Sequence, residues 1–265
     1  AGSAMGTWWG ACFPCLCPNL PPADAFLVDA PWAANALAPG FPRRVLMDDD
    51  PWARARCAVV AVAPDGSAGA PVAFAHLPAR GSFGEGATVV DAEGAPLAYL
   101  NSGEAKRRER GASSSYVIFA PRPFFPGQAP SANRRFWNGS ACKEVDACYL
   151  WVRVVRSPLS DKWAVVDAEG NALGRGRAYA DGFLVERPDA TGAAWFRAAK
   201  ATETRNEFDL LEGDARVDAR VARGVDGLLA VCVKLARDLA EDELARPNGE
   251  YYSDEELDDV YSKSG

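Results

Sequence analysis

The chain has 265 residues and a formal net charge of −7, with 48% hydrophobic and 25% charged residues. This composition is typical of a globular protein and excludes a disordered or fibrous chain. Residues 241–265 hold nine acidic and two basic side chains, which leaves 27 of each sign in residues 1–240. A neutral body with an acidic tail lacks the basic surface that nucleic-acid binding needs, so we expect no nucleic-acid partner.

Residues 1–52 are predicted to form an N-terminal arm, because they contain eight of the 19 prolines among many aromatic residues. Proline fixes φ and lacks a backbone donor, so the arm should be extended and irregular. Its aromatic side chains should lie along the chain's own domain, a partner or a membrane surface. The start at Ala1 fits either removal of a targeting peptide or a short extension before a native Met5.

Short apolar runs separated by turns begin at Cys57. A series of short strands with Gly-containing turns predicts an antiparallel sheet protein. In residues 215–221, apolar and charged side chains alternate, which predicts a strand with one face in water. The other predicted strands are 57–63, 71–77, 87–90, 95–100, 115–120, 148–155, 163–166, 182–185 and 193–198.

The sequence Val-Val-Asp-Ala-Glu-Gly occurs twice, at residues 89–94 and 165–170. Each copy predicts a strand that enters a tight turn, in which the glycine takes a positive φ, and then returns. The repeat is consistent with two unrelated hairpins that share a turn, or with a domain made of two similar halves.

A helix is predicted after Asp226, which is a suitable N-cap residue. Residues 228–239 are apolar almost all the way round, so this helix should be buried on nearly every side. A sheet closed around the helix would bury it and remove exposed strand edges. We therefore predict a mainly β fold: a closed antiparallel barrel of about twelve strands around a buried C-terminal hydrophobic helix, over residues 53–240. No run reaches the 18 to 20 apolar residues of a membrane-spanning helix.

Three features resemble the tubby-like superfamily, in particular its LURP-one-related branch, with phospholipid scramblases as more distant relatives. They are the repeated hairpin, the strand sequence Tyr-Leu-Trp-Val-Arg-Val at 149–154, and the final Gly-Val-Asp-Gly-Leu-Leu-Ala-Val-Cys-Val at 224–233. The resemblance covers about residues 53–240. It implies a barrel used for membrane-lipid binding or as a membrane-tethered scaffold, with no enzymatic chemistry.

The scramblase relatives carry acyl-modified cysteines before the barrel, and Cys12, Cys15 and Cys17 are similar in kind. The resemblance implies a lipid anchor by palmitoylation of these cysteines, with Trp8 and Trp9 at the membrane interface. Inert free thiols are the main alternative. A disulfide or a zinc site is a further one, but zinc would need a distant fourth ligand, because only three thiols lie together.

The same relatives bind calcium through acidic residues before the last helix. Here Asp209, Glu212 and Asp214 could supply oxygen ligands, although a charged turn explains them as well. No other cofactor is predicted.

Two loops and the tail are candidate contact surfaces. A basic cluster, Lys106, Arg107, Arg108 and Arg110, could attract anionic lipid head groups, or could be a solvated loop. The Pro-rich segment 121–146 is long enough to be a functional loop. Residues 241–265 have the composition of a disordered tail. The predicted partner-binding residues of the 121–146 loop and the tail are Phe124, Phe125, Phe136, Trp137, Tyr251 and Tyr252.

No catalytic motif is recognisable, since the one histidine, His76, lies in a predicted strand and no phosphate-binding loop is present. Seven cysteines, three of them clustered, do not form a disulfide framework and favour a reducing compartment. The sequence thus predicts a non-enzymatic, membrane-associated lipid-binding or scaffold protein on the cytoplasmic face. The alternatives are an accessory structural subunit of a large membrane protein complex and, for location, a plastid or mitochondrion.

Overall fold

The computed structural model describes residues 20–22, 37–38, 40–48, 55–78, 86–102, 115–156, 162–189, 191–201 and 216–245. These residues form fourteen strands and one helix. The strands are β1 (Arg44–Asp48), β2 (Arg56–Val62), β3 (Ala68–His76), β4 (Gly86–Asp91), β5 (Pro96–Ser102), β6 (Ser115–Ala120), β7 (Arg134–Trp137), β8 (Cys142–Val145), β9 (Tyr149–Arg156), β10 (Lys162–Asp167), β11 (Ala172–Tyr179), β12 (Gly182–Glu186), β13 (Ala194–Lys200) and β14 (Arg216–Val221), and the helix is α1 (Gly227–Ala245).

Twelve of these strands close into an antiparallel barrel. Their order is β3-β2-β1-β14-β13-β12-β11-β10-β9-β6-β5-β4, and β4 pairs with β3 to complete the ring. Strand β1 lies between β2 and β14, so it joins the beginning of the sheet to its last strand. The predicted fold class, a mainly β closed barrel with one C-terminal helix, is confirmed.

Helix α1 lies inside the barrel. Asp226 caps it, because the Leu229 N–H donates a hydrogen bond of 2.7 Å to Asp226 Oδ1. Residues 227–236 are all buried, and the helix contacts β14 on one wall and β5 and β6 on the opposite wall. An apolar helix surrounded by inward-facing strand residues is the arrangement that the sequence predicted.

The repeated hexapeptide forms two equivalent hairpins, β4–β5 and β10–β11. In each, the glycine has a φ of +90° and its N–H donates to the aspartate carbonyl at 3.2 Å. Both hairpins also have a register shift between the two valines. The repeat therefore encodes the same bulged turn twice.

Three parts of the sheet differ from the sequence analysis. Strand β1 lies in the segment assigned to the arm, so the sheet begins at Arg44 rather than after residue 52. The segment 121–146, predicted as one long loop, contains the β7–β8 hairpin. Strand β11 is not predicted on its own, because two of its inward positions, Gly174 and Gly176, have no side chain.

These two glycines make room for large side chains in the core. A Cβ on Gly176 would lie 2.7 Å from the Phe183 ring and 2.8 Å from Trp163 Cβ. A Cβ on Gly174 would lie 2.8 Å from Trp195 Nε1. The space inside the barrel next to β11 is therefore filled by aromatic side chains from other strands, namely Trp163, Phe183 and Trp195.

Candidate functional site

A line of basic side chains crosses the outer surface of six neighbouring strands. Residues directly opposite in antiparallel pairs point to the same face of a sheet. The pairs Arg44–Arg220, Arg220–Arg197, Arg197–Leu184, Leu184–Arg177 and Arg177–Lys162 are continuous across the strands. With strands about 4.8 Å apart, the line is about 24 Å long. We call it the basic row: Arg44, Arg220, Arg197, Leu184, Arg177 and Lys162.

The row belongs to a larger basic face on β9–β14 and β1. Outward positions of these strands hold eight basic side chains and three acidic ones in the described residues. The basic ones are Arg44, Arg153, Lys162, Arg175, Arg177, Arg197, Arg216 and Arg220, and the acidic ones are Asp48, Glu186 and Asp218. Although residues 1–240 have no net charge, the fold collects positive charge on one side.

Asp218 and Glu186 hold the row in place. Arg44 makes two hydrogen bonds of 3.1 Å with the Asp218 carboxylate, and Arg220 Nε lies 3.1 Å from Asp218 Oδ2. Arg177 lies 3.2 Å from Glu186 Oε2. Like charges directly opposite in a sheet are destabilising, so these two carboxylates offset part of the repulsion along the row, and an anionic ligand would offset more of it.

Residues Leu20–Pro22, which we call the strap, lie across the middle of the basic row. Leu20 is only 6% exposed and packs on Leu184, Ala194 and Ala199. The Leu20 N–H donates to Asp181 Oδ1 at 3.3 Å, and Arg197 Nε donates to the Pro21 carbonyl at 2.9 Å. This part of the predicted arm is therefore packed on its own barrel.

The outer surface of β5 and β6 has a different character. Tyr99, Val117 and Phe119 point outward there, and the β7–β8 hairpin covers them. Phe136 of the hairpin stacks on Tyr99 with ring centroids 4.7 Å apart and meets Phe119 edge-on at 5.9 Å. We call this surface the covered face.

Four predicted partner-binding residues fall in the described chain, and the fold does not bring them together as one surface. Phe136 is 1% exposed and lies between the hairpin and the covered face, so it is unable to contact a partner directly. Phe124 packs edge-on against Trp151 at 5.1 Å, and Trp137 is half-buried. Phe125 is 39% exposed and is the residue of this set that is open to solvent.

The remaining predicted site residues lie outside the described residues. They are the lipid-anchor residues Trp8, Trp9, Cys12, Cys15 and Cys17, the basic residues Lys106, Arg107, Arg108 and Arg110, the tail residues Tyr251 and Tyr252, and the calcium candidates Asp209, Glu212 and Asp214. Within the described ranges, no three His, Cys, Asp or Glu side chains are grouped closely enough to hold a metal ion.

Three of the four described thiols, Cys57, Cys148 and Cys232, are buried, and His76 is half-buried. Burial raises the pKa of Cys57 to about 12, with the Asp48 carboxylate adding to the effect, and burial also raises the pKa of Cys232. These two thiols therefore stay protonated at neutral pH. Burial and the neighbouring Arg56 lower the pKa of His76. A Cβ on Gly139 would lie 2.7 Å from His76 Nδ1, so the hairpin turn packs directly against this ring.

Comparisons of the chain with protein-family models, with curated proteins and with solved structures each find no match. In the described residues, no helix combines the length and the apolar character needed to cross a membrane.

The basic row could not be read from the sequence, because its members are up to 176 residues apart. The signal that was visible is local: Arg216, Asp218 and Arg220 alternate with apolar residues, as do Arg175 and Arg177 with glycines. These separate alternations form one line because β10 to β14 pair in chain order and β14 then pairs with β1.

Proposed function

We propose that this protein is a non-enzymatic, membrane-associated protein that binds anionic lipid head groups through the basic row. The observation that carries this proposal is the line of five basic side chains on neighbouring strands. Each Lys or Arg near an anionic membrane contributes about 1 kcal/mol. Four of the five are arginines, whose planar guanidinium suits bidentate contact with phosphate.

The character of the basic face favours a lipid over a nucleic acid. Proteins that bind single strands combine a basic groove with aromatic side chains on which bases stack. The basic row contains no aromatic residue, and among the described residues the exposed large apolar side chain is Phe125, on the loop after β6. A convex basic row without aromatic members fits a layer of head groups.

The predicted lipid anchor is compatible with this orientation. Cys17 precedes Leu20 by three residues, which is at most about 11 Å of extended chain. Because Leu20 lies on the basic row, acyl chains on Cys12, Cys15 or Cys17 would enter the membrane that the row contacts. The resemblance to the tubby-like superfamily supports the same function and a location on the cytoplasmic face of a membrane.

The alternative function is that of an accessory subunit, whose arm and tail drape over neighbours in a membrane complex. The described parts of the arm favour the lipid-binding proposal. Leu20 packs on the outside of the barrel, and Leu37 packs in the main core.

A vesicle-binding experiment on the full chain tests the proposal. The substitutions Arg177→Gln and Arg220→Gln remove two charges from the row. The matched control, Arg135→Gln with Lys143→Gln, removes two exposed charges from the hairpin. Flotation with phosphatidylcholine vesicles, with and without phosphatidylserine and phosphoinositide, should show binding that needs the anionic lipids. The row variant should bind about thirtyfold more weakly, from about 1 kcal/mol per charge.

The control variant should bind as the wild type does. Equal weakening in both variants would mean that net charge, not the row, attracts the vesicles. Neutralising Lys106, Arg107, Arg108 and Arg110 in a third variant measures the contribution of the predicted basic loop. If a single-stranded RNA oligomer bound more tightly than the vesicles and displaced them, the lipid proposal would be wrong.

A further inference from the structure

The strap divides the basic row into two parts. Leu184 is the one apolar member of the row, and the side chain of Leu20 covers it. On one side of the strap lie Arg44, Arg220 and Arg197, and on the other side lie Arg177 and Lys162. While Leu20 covers Leu184, a flat layer of lipid head groups is unable to contact the row continuously from one part to the other.

The strap also uses the central arginine of the row. Arg197 Nε donates to the Pro21 carbonyl at 2.9 Å. Bidentate recognition of a phosphate by arginine takes two N–H groups on one edge of the guanidinium. The edge of the Arg197 guanidinium that contains Nε is thus directed at a neutral backbone oxygen instead of at an anion.

The seat of Leu20 consists of small and apolar side chains that leave room for it. Its floor consists of Leu184, Ala194 and Ala199, with Tyr179 beside it. A Cβ on Gly182 would lie 2.8 Å from Leu20 Cδ2, so the missing side chain on this strand leaves space for the strap.

We infer that the strap is an internal competitor for anionic head groups: docked, it blocks the middle of the basic row, and displaced, it gives up the Arg197–Pro21 hydrogen bond and uncovers the row. This inference rests on the proposed function. A contact of three residues, with one apolar side chain and two hydrogen bonds, gains little beyond the entropy lost in ordering the chain. Such a contact is readily exchanged for a ligand that gains more from the same surface.

The substitution Leu20→Ser in the full chain tests the inference, because it removes the apolar anchor without adding charge. Leu20→Met is the matched control, since it keeps an apolar side chain of similar volume. Both are measured with the phosphatidylserine and phosphoinositide vesicles described above. If the displaced state is about 10% populated in the wild type, Leu20→Ser should bind about tenfold more tightly and Leu20→Met as the wild type does.

A second measurement needs no variant. Anionic vesicles should accelerate hydrogen exchange at the Leu20 amide of the wild-type chain, because its hydrogen bond to Asp181 opens when the strap leaves. Phosphatidylcholine vesicles should leave this exchange unchanged.

The outcomes separate the inference from the function on which it rests. Equal or weaker binding by Leu20→Ser, together with weakened binding by the row variant, would overturn the competitor inference and leave the lipid function in place. Unchanged or slower exchange at Leu20 on vesicles that bind would overturn it in the same way. Failure of every chain to bind anionic vesicles would overturn both.

Discussion

The covered face and the basic face are outer surfaces of one closed sheet, but they are covered in different ways. On the covered face, the β7–β8 hairpin buries Phe136 against Tyr99 and Phe119. On the basic face, the described contact is the three-residue strap, with Leu20 as its apolar anchor. In the described residues, the aromatic face thus has a two-stranded cover and the charged face has a cover of three residues.

The two covers also differ in energy. Burying a side chain the size of Phe or Leu stabilises by about 1.5–3 kcal/mol. The hairpin buries Phe136 with four other residues of the same cluster and pairs with β4 by backbone hydrogen bonds, so it is firmly attached to the barrel. The strap gains one such burial and two hydrogen bonds of about 0.5–1.5 kcal/mol each, against about 1–2 kcal/mol for each of the three backbone residues that it orders. Its attachment is therefore close to balance.

Removing the anchor of the hairpin should produce the largest effect. Phe136→Ala leaves a cavity between Tyr99 and Phe119, and deletion of a buried aromatic side chain costs about 3–5 kcal/mol of unfolding free energy. Urea denaturation of the purified chain measures this loss.

Phe125→Ala is the matched control, because that phenylalanine is largely in solvent and its truncation should change stability by no more than about 0.5 kcal/mol. Equal losses from the two substitutions would contradict the division between a covered core and an open surface.

A second test compares the inside of a basic-face strand with its outside. Gly176→Ala places a Cβ 2.7 Å from the Phe183 ring, and overpacking of this kind destabilises by about 1–3 kcal/mol. Arg175→Ala, one residue earlier and exposed, should change stability by no more than about 0.5 kcal/mol. Thermal unfolding of both variants checks the prediction, and a neutral Gly176→Ala would mean that the core tolerates more volume there.

The parts of the fold that the sequence predicted are those with local signals. Strand β14 shows the apolar and charged alternation, and the two hairpins at 89–94 and 165–170 contain turn sequences that need no distant partner. Helix α1 follows from its capping residue, Asp226, and from its continuous apolar run. The closed barrel was then inferred from the need to bury that helix.

The parts that were missed depend on distant contacts. Strand β1 is five residues between Pro42 and Pro51, and its identity as a strand comes from pairing with β14. Strands β7 and β8 have four residues each and carry charged side chains, so only the covered face beneath them explains Phe136 as an anchor. The basic row is a product of strand order, and strand order is not written in local sequence.

The smallest expected effect concerns pH at the edge of the covered face. Burial and Arg56 lower the pKa of His76 below its usual 6.5, so the folded protein favours the neutral ring. In the unfolded chain the ring binds a proton near pH 6.5, and stability should therefore decline slightly as pH falls through that value and then level off below the folded pKa.

Urea titrations of the wild type between pH 8 and 5 should show this decline, and His76→Gln should remove it. Because His76 is the sole histidine, no other imidazole contributes to the slope. The buried Asp226 acts in the opposite direction: burial raises its pKa above 3.8, so its protonation stabilises the folded state as the pH falls. A rise in stability across this range that persists in His76→Gln would show that the N-cap carboxyl, not the ring against the hairpin turn, governs the acid response.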